Sequence, residues 1–555
     1  MCTGEEMDWR EMRAKLVAQE RQQSAGDGAP VAEGGEGYVY ESPLIEQGTI
    51  LLGGTKQEFG FALRQQFFHK CVLLLLEHGP FFTKGIILNR PTALELDGWR
   101  VWCGHGQVAE GGMFLGSRDD VMGELEINAL HSLDDPMATR LSTPVIKGVS
   151  YTDFDGAKAL VEAGVAKRED FYVCVGYSGW APGQLQTEVE KRDSWYLAAA
   201  DSGTLLRELL KQGRELPPLE SGEVPADHGV AQWASLMRGI GRDDDVRDSD
   251  GDLADRMLGA WVRARLRPRP LPPTPRTPPP VVGAGTVLCT AAGAGGGVAD
   301  RVLLADQFLH KSLLVVLGEL PGGEGGGAAG AGAGAGDGET ETGKEGVVVA
   351  CVLNRATDTK VRFNLPGEPI RRFNVCGNKQ LGAALATDGS GQLWLHHRAE
   401  LGGTALGESG LYRLSGAEAA AKLQAGDAAA SDFLLAGSSV HYGRAELAAA
   451  LAAWQMRVVP AGERLRALWP RVWSLADADA DGDGGSGEDD GELRDGTDVW
   501  WLASQLAVAA EAPQGAVELE AVEPTQVLAA TAPTTELADE ALSEWISFFA
   551  RDRAS

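Results

Sequence analysis

Several groups of residues combine types and spacing that could do chemistry. The first is the run Phe171-Tyr-Val-Cys-Val-Gly-Tyr-Ser-Gly-Trp-Ala-Pro-Gly-Gln-Leu185. An apolar strand enters a glycine-rich turn, and a helix opens near Pro182, where a missing N–H costs least; a nucleophile elbow exposes its serine in such a setting. Gly176 and Ser178 begin that pattern, but its fifth position is Trp180 rather than glycine. A serine hydrolase also needs a histidine and a carboxylate, which the sequence does not place. Backbone amides at a glycine-rich helix start could instead hold a small anion. The plainest use is a tight turn, with Tyr177 and Trp180 packing as core or interface.

The second group is Leu88-Asn-Arg-Pro-Thr92, a strand end running into a turn. Asn89 can bond its own backbone, and Pro91 holds Arg90 extended. A guanidinium there suits a carboxylate or a ligand phosphate. Recurrence of the arginine as Arg355 favours a structural salt bridge or a turn lock. The nine histidines include two recurring pairs, His69 with His310 and His131 with His396. His69 and His131 could hold a metal if a carboxylate joined them, yet no close ligand spacing supports this, and hydrogen-bonded core histidines are the simpler account. Cys103 and Cys376 follow apolar residues with nothing basic beside them, as small buried hydrophobes do. Asp477, Asp479, Asp481, Gly482 and Glu488 satisfy a calcium-loop pattern, but Gly484 takes the place of its β-branched residue. The surrounding run of acids and glycines favours a solvated acidic linker. No cofactor or metal is expected.

These groups sit on a duplicated scaffold. Gly48-Thr-Ile-Leu recurs as Gly285-Thr-Val-Leu, and Gln66-Phe-Phe-His-Lys as Gln307-Phe-Leu-His-Lys. Ile87-Leu-Asn-Arg recurs as Val352-Leu-Asn-Arg, Val101-Trp-Cys-Gly as Asn374-Val-Cys-Gly, Leu130-His-Ser as Leu395-His-His, and Asp170-Phe-Tyr-Val as Asp432-Phe-Leu-Leu. Self-similarity of this kind marks repeated structural units. The pattern divides the chain into an N-terminal helical segment (1–40), a first domain (41–265), a Pro-rich linker (266–284), a second domain (285–475) carrying a Gly/Ala loop (321–346), an acidic tract (476–498) and a C-terminal helical segment (499–555). The linker is a stiff polyproline spacer that also fits a peptide-ligand pattern. Leu537, Ala541, Leu542, Trp545, Ile546 and Phe549 give the last helix one apolar face, for docking on a domain or a partner.

Within each copy, short apolar runs such as 72–77, 85–89 and 171–177 read as buried strands, and 155–163 reads as a helix capped by Thr152 or Asp153. Intermixed strands and helices predict an α/β to α+β domain with a mixed sheet. Hydrophobic residues are 44% of the 555 and charged residues 23%, which is globular composition. The net charge of −29 excludes nucleic-acid binding through a broad basic face. Apolar runs such as 71–76 are far too short to span a membrane. Seven cysteines without a Cys-x-x-Cys pair predict reduced thiols in a soluble intracellular protein.

GTILLGG (48–54), FFHKCVLLLLEH (67–78), GIILNRPT (85–92), GYSGWAPGQL (176–185) and WYLAAADSGTLL (195–206) together resemble the YqgE/AlgH family. DWREMRAKLVAQE (8–20) is similar to the opening of plant and algal plastid forms, which implies a chloroplast protein although the chain carries no transit peptide; a cytoplasmic one is the alternative. The resemblance implies a mixed, partly barrel-like sheet and no established enzymatic activity; bacterial relatives are labelled regulators of exopolysaccharide synthesis. Members usually carry alanine where this chain has Ser178. Two departures stand out: a glycine-rich family segment appears as Cys103-Gly-His-Gly-Gln-Val108, and the second copy replaces GYSGWAPGQL with Ser438-Ser-Val-His-Tyr-Gly-Arg-Ala-Glu-Leu447. The expectation is therefore one intact and one degenerate YqgE/AlgH-like domain forming a non-enzymatic binding or regulatory module. Its site for a small ligand or protein partner would use Asn89, Arg90, Gly176, Tyr177, Gly179, Trp180 and Gln184. The alternative is a hydrolase or metal-dependent enzyme built on the same turn.

Overall fold

Residues 9–24, 37–55, 65–105, 126–192, 194–206, 216–249, 253–267, 280–290, 307–320, 346–365, 369–374, 379–380, 392–452, 455–477, 496–511 and 532–547 are described by the structure, a computed structural model. The calcium-loop pattern beyond Asp477, the Gly/Ala loop up to 345, linker residues 268–279, residues 106–108 of the segment that begins at Cys103, and Cys376 lie outside the described residues. Two units divide the chain, the boundary falling between Pro270 and Leu271.

In the first unit the strands run β1 (Val39–Glu41), β2 (Ile50–Gly53), β3 (Val72–His78), β4 (Thr83–Ile87), β5 (Pro91–Leu96), β6 (Trp99–Cys103), β7 (Ile127–His131), β8 (Thr143–Ile146), β9 (Val149–Asp153), β10 (Tyr172–Val175), β11 (Ser178–Trp180) and β12 (Trp195–Ala200). They form two six-stranded sheets, β1-β12-β2-β3-β4-β11 and β5-β6-β10-β7-β9-β8. Pairing is antiparallel except between β6 and β10. Side chains alternate faces along a strand, so Leu74, Leu76, Ile86 and Leu88 meet Trp102, Leu130 and Cys174 of the second sheet in one shared core. Their neighbours Leu73, Leu75 and Ile87 are buried on the opposite face, which explains unbroken apolar runs where alternation would otherwise appear. Helices α1 (Trp9–Ser24), α2 (Phe154–Glu162), α3 (Gln184–Arg192), α4 (Val230–Gly239) and α5 (Leu253–Arg265) belong to the unit, with shorter helices at Pro136–Leu141 and Asp243–Asp248. Asp153 caps α2 by accepting from the amide of Gly156 at 2.6 Å. Arg10 of α1 donates to Glu46 at 2.6 Å and ties that helix to the unit.

One expected element divides in two. The 171–177 run ends as β10 in the second sheet, and the chain then enters the first sheet as β11. Gly176, at φ 79°, makes the switch between sheets, a left-handed conformation that glycine takes without a Cβ penalty. The helix opens at Gln184.

The second unit contains β13 (Val287–Thr290), β14 (Leu313–Leu320), β15 (Val347–Val352), β16 (Ala356–Arg362), β17 (Ile370–Asn374), β18 (Lys379–Gln380), β19 (Leu393–His396), β20 (Thr404–Leu406), β21 (Leu411–Leu414), β22 (Leu434–Ala436), β23 (Ser438–Gly443) and β24 (Met456–Val459). Its sheets are β18-β23-β15-β14-β13-β24 and β16-β17-β22-β19-β21-β20. The order β24-β13-β14-β15-β23 follows β12-β2-β3-β4-β11 strand for strand, and the second sheets correspond throughout. Even a register shift recurs, between Leu75 and Glu77 of β3 and between Val316 and Gly318 of β14. Trp102 pairs with Cys174 as Asn374 pairs with Ala436, so these two are equivalent, and the Val101–Asn374 match is one residue out of register. Helices α6 (Arg444–Ala452), α7 (Thr497–Glu511) and α8 (Ala532–Trp545) pack in this unit. Val499, Trp500 and Ala503 share a core with Val287 and Val459, while Trp545 joins Phe308, so the C-terminal helices are part of the second unit's interior.

Candidate functional site

Asn89 and Arg90 lie at the end of β4 and are fully enclosed. The Asn89 Oδ1 accepts from the Val72 amide at 2.8 Å, and its Nδ2 donates to the carbonyls of Lys70 at 3.0 Å and Gly229 at 2.6 Å. The Arg90 Nη1 donates to the carbonyls of Asn89 and His228, each at 3.0 Å, and Nη2 to that of His69. Its partners are thus carbonyls and not the carboxylate of a salt bridge. Burial draws its pKa down to about 10, which leaves it charged at neutral pH. A guanidinium so enclosed cannot also grip a ligand phosphate; both side chains knot β3, β4 and the start of α4 together.

Beside them, the Asp255 carboxylate of α5 meets His69 Nε2 at 2.8 Å and Lys70 Nζ at 2.7 Å. Lys70 also donates to the Ser249 carbonyl at 2.6 Å and lies 5.5 Å from the centre of the Trp233 ring. His131 is held elsewhere: Nε2 faces Ser142 Oγ at 2.7 Å and Nδ1 accepts from the Leu133 amide at 3.2 Å. The two histidines therefore serve separate partners. Among the described residues no three His, Cys, Asp or Glu side chains gather as a metal site.

The Gly176–Gln184 segment divides into an inner and an outer part. Inside, the indole N–H groups of Trp180 and Trp195 both donate to Glu188 Oε2, at 3.0 and 2.9 Å. Gln184 donates to Glu188 Oε1 at 3.0 Å and accepts from the Ala181 amide at 3.1 Å, closing the start of α3. Ser178 opens β11 opposite Gly85, where the chain passes from one sheet into the other and not from a strand into a helix. Its Oγ is buried without a hydrogen-bond partner, so the nucleophile elbow is absent. Outside, Gly179 is exposed, and a Cβ there would come within 3.0 Å of the Phe82 ring. Phe82 packs edge-on against Tyr177, with centroids 6.2 Å apart, and stays 43% exposed beside Phe81 at 83%.

Register places Lys84 opposite Gly179, and this buried lysine is absent from the sequence-derived site. It points toward the second sheet, where Nζ meets Glu126 and donates to Asn128 Oδ1 at 3.2 Å. The rings of Tyr177 and Tyr151 stand 5.3 and 5.5 Å from Nζ, within cation–π range. The Tyr151 hydroxyl donates to Glu77 Oε1 at 2.7 Å; burial first, and then that carboxylate, raises its pKa. Asn128 Nδ2 is buried with no acceptor. The readable signal was Lys84 itself, a lysine at a core-facing position of an apolar strand. Strand pairing places Val349, Leu393, Arg413 and Ser439 where the first unit has Lys84, Asn128, Tyr151 and Tyr177.

A family model described as AlgH-like matches residues 60–213. A UPF0301 protein of Streptomyces avermitilis is 30% identical over 167 residues, which cover 28% of this chain and 82% of that protein. One from Chlorobium luteolum is 32% identical over 168 residues, covering 30% of this chain and 79% of that one. The chain therefore belongs to the AlgH-like UPF0301 family, whose function is uncharacterised. Among solved structures, the AlgH protein of Pseudomonas aeruginosa is similar with a TM-score of 0.23 and 17% identity, over 35% of this chain and 90% of that one. A Corynebacterium diphtheriae protein gives 0.22 and 15%, over 36% and 88%. No helix among the described residues is long and apolar enough to cross a membrane.

Proposed function

We propose that the chain is a non-enzymatic binding module of regulatory character. Its recognition face is the edge of the first unit around Phe82, Tyr177, Gly179 and Lys84, and its second unit (280–547) is a degenerate copy kept as a scaffold. Asn89, Arg90, Trp180 and Gln184 position that face from behind, and Gly176 turns the chain into it.

One observation carries this reading: the two units share their frame contact by contact and differ at the face. Asn354 accepts from the Leu313 amide at 2.8 Å and donates to Lys311 and Gly496 carbonyls, as Asn89 does to Lys70 and Gly229. Arg355 donates to the carbonyls of Asn354 and His310, and Asp539 binds His310 at 2.8 Å and Lys311 at 2.6 Å. Trp500 donates to the Thr290 carbonyl at 2.6 Å as Trp233 does to that of Gly53 at 2.9 Å. A frame retained while Lys84, Asn128 and Tyr177 are exchanged fits selection for fold in one unit and for recognition in the other. A soluble chloroplast or cytoplasmic setting suits the buried thiols.

Native mass spectrometry of the full chain tests the location. A Phe82→Ser, Tyr177→Ser variant should lose the companions that the wild type retains. Identical companions in both samples would place the recognition face elsewhere.

A further inference from the structure

We infer that Lys84 and Asn128 form a binding site for a carboxylate, which Glu126 occupies until a ligand displaces it. The proposal rests on the reading of the first unit as a recognition module and names the chemistry of its ligand.

Lys84 enters from β4, Asn128 and Glu126 from β7 or just before it, Tyr151 from β9, and Tyr177 from the link between β10 and β11. The ammonium is enclosed by two aromatic rings and held from below by an amide oxygen. A structural ion pair would account for Lys84 and Glu126 alone. It leaves unexplained a buried Asn128 Nδ2 that has no acceptor beside the same ammonium, because an unmet buried donor is costly. A carboxylate has two oxygens, so one can take Nζ and the other Nδ2, an arrangement that satisfies both groups at once. Glu126 meets only the first, and its side chain is 41% exposed, free to turn into solvent.

The negative surroundings select among anions. Glu77 Oε1 lies 3.9 Å from Nζ, close enough to oppose a second negative charge on the ligand. A monoanionic carboxylate, like the resident one, is favoured over phosphate. Two sources share that chemistry: a free aliphatic carboxylate, or an acidic side chain of a peptide laid along the exposed Phe81 and Phe82.

Calorimetric titration of the full chain separates them, with propionate as the first probe, an N-acetylated tetraglutamate amide as the second, and inorganic phosphate as competitor. Saturable binding of either carboxylate is expected, and the peptide alone if the aromatic edge contributes. Glu126→Gln should tighten binding about two- to fivefold, since it removes a self-competitor held by a half-exposed ion pair. Lys84→Met and Asn128→Leu should each weaken it by about tenfold or more. Glu126→Gln leaves the core untouched, so that arm stands even if the core variants fold poorly. No saturable binding of either probe to Glu126→Gln, equal binding by Lys84→Met, or equal competition by phosphate would overturn the site. If it fails while Phe82→Ser, Tyr177→Ser still strips the companions, the ligand class is wrong and the recognition face stands.

Discussion

Replacing Asp255 by asparagine should loosen α5 far more than the same change at Asp539 loosens α8. Lys70 is 2% exposed at its side chain, and its ammonium depends on the Asp255 carboxylate and on the Ser249 carbonyl. The backbone is left-handed at both Lys70 and Lys311, φ 49° and 50°, so backbone strain is common to the two pairs and burial is what separates them. Taking one partner from a buried pair costs about 3–5 kcal/mol. Asp255 is 20% exposed, which argues for the lower end, about 3 kcal/mol. In the second unit Lys311 is 13% and Asp539 44% exposed, so solvent screens the pair and the loss falls to about 1 kcal/mol. Hydrogen exchange of the full chain followed by mass spectrometry reads both helices together. Protection over 253–265 should fall roughly 100-fold in Asp255→Asn, and over 532–545 roughly fivefold in Asp539→Asn. A Lys70→Met, Asp255→Leu pair should restore most of the first loss, since apolar side chains can replace a buried pair. Equal effects in the two units, or no rescue, would refute the assignment of the carboxylate as the latch.

The same pair gives a pH dependence. Burial works to raise the Asp255 pKa, but the hydrogen bonds from His69 and Lys70 outweigh it and hold the group at about 2. A folded pKa below the ordinary 3.8 stabilises above that value and ceases to stabilise as pH falls toward 2, so protection over 253–265, taken relative to the intrinsic exchange rate at each pH, should fall between about pH 4 and pH 2. Gly229→Ala should destabilise by more than about 4 kcal/mol in chemical denaturation, because its Cβ would lie 1.9 Å from the Asn89 carbonyl at φ +81°. Gly164→Ala, with φ +71° and nothing within 4 Å, should cost only about 1 kcal/mol. Glu188→Ala removes the acceptor of two indoles and Gln184 and should cost about 2–4 kcal/mol, with a shift in tryptophan emission. A fluorophosphonate probe should leave the buried Ser178 unlabelled, and labelling there would revive the hydrolase reading. Cys71, whose thiol burial pushes up to about 12, should resist a thiol reagent until the chain unfolds.

How much of this was legible in the sequence depended on whether a residue acts locally. The Asp153 cap was visible because its bond to the Gly156 amide is local. The Asn-Arg motif could be read as a recurring pattern but not for its contacts: Asn89 does not bond its own backbone, and instead reaches Val72, Lys70 and Gly229, as Asn354 reaches Leu313, Lys311 and Gly496. Leu253-Ala-Asp-x-x-Leu-x-x-Trp261 recurs as Leu537-Ala-Asp-x-x-Leu-x-x-Trp545, yet the 284-residue offset differs from the 241 of the His-Lys motif, and the match hides behind insertions. Only the contacts reveal why it exists: its aspartate reaches back to His69 or His310 across the unit. The sheet switch at Gly176 was out of reach, since a glycine between apolar residues reads equally as a turn or a bulge.

Lys84 shows the deeper reason. A polar side chain inside an apolar strand is normally counted against the strand, since burying it alone is costly. The cost is met by Glu126, Asn128, Tyr151 and Tyr177, which come from three other stretches of chain and meet only after the sheets pack. The second unit keeps Val349 there, which satisfies the apolar pattern and needs no such company. The residue that fits the periodicity thus needs no polar company, and the one that violates it draws an acid, an amide and two aromatic rings to a single point of the core.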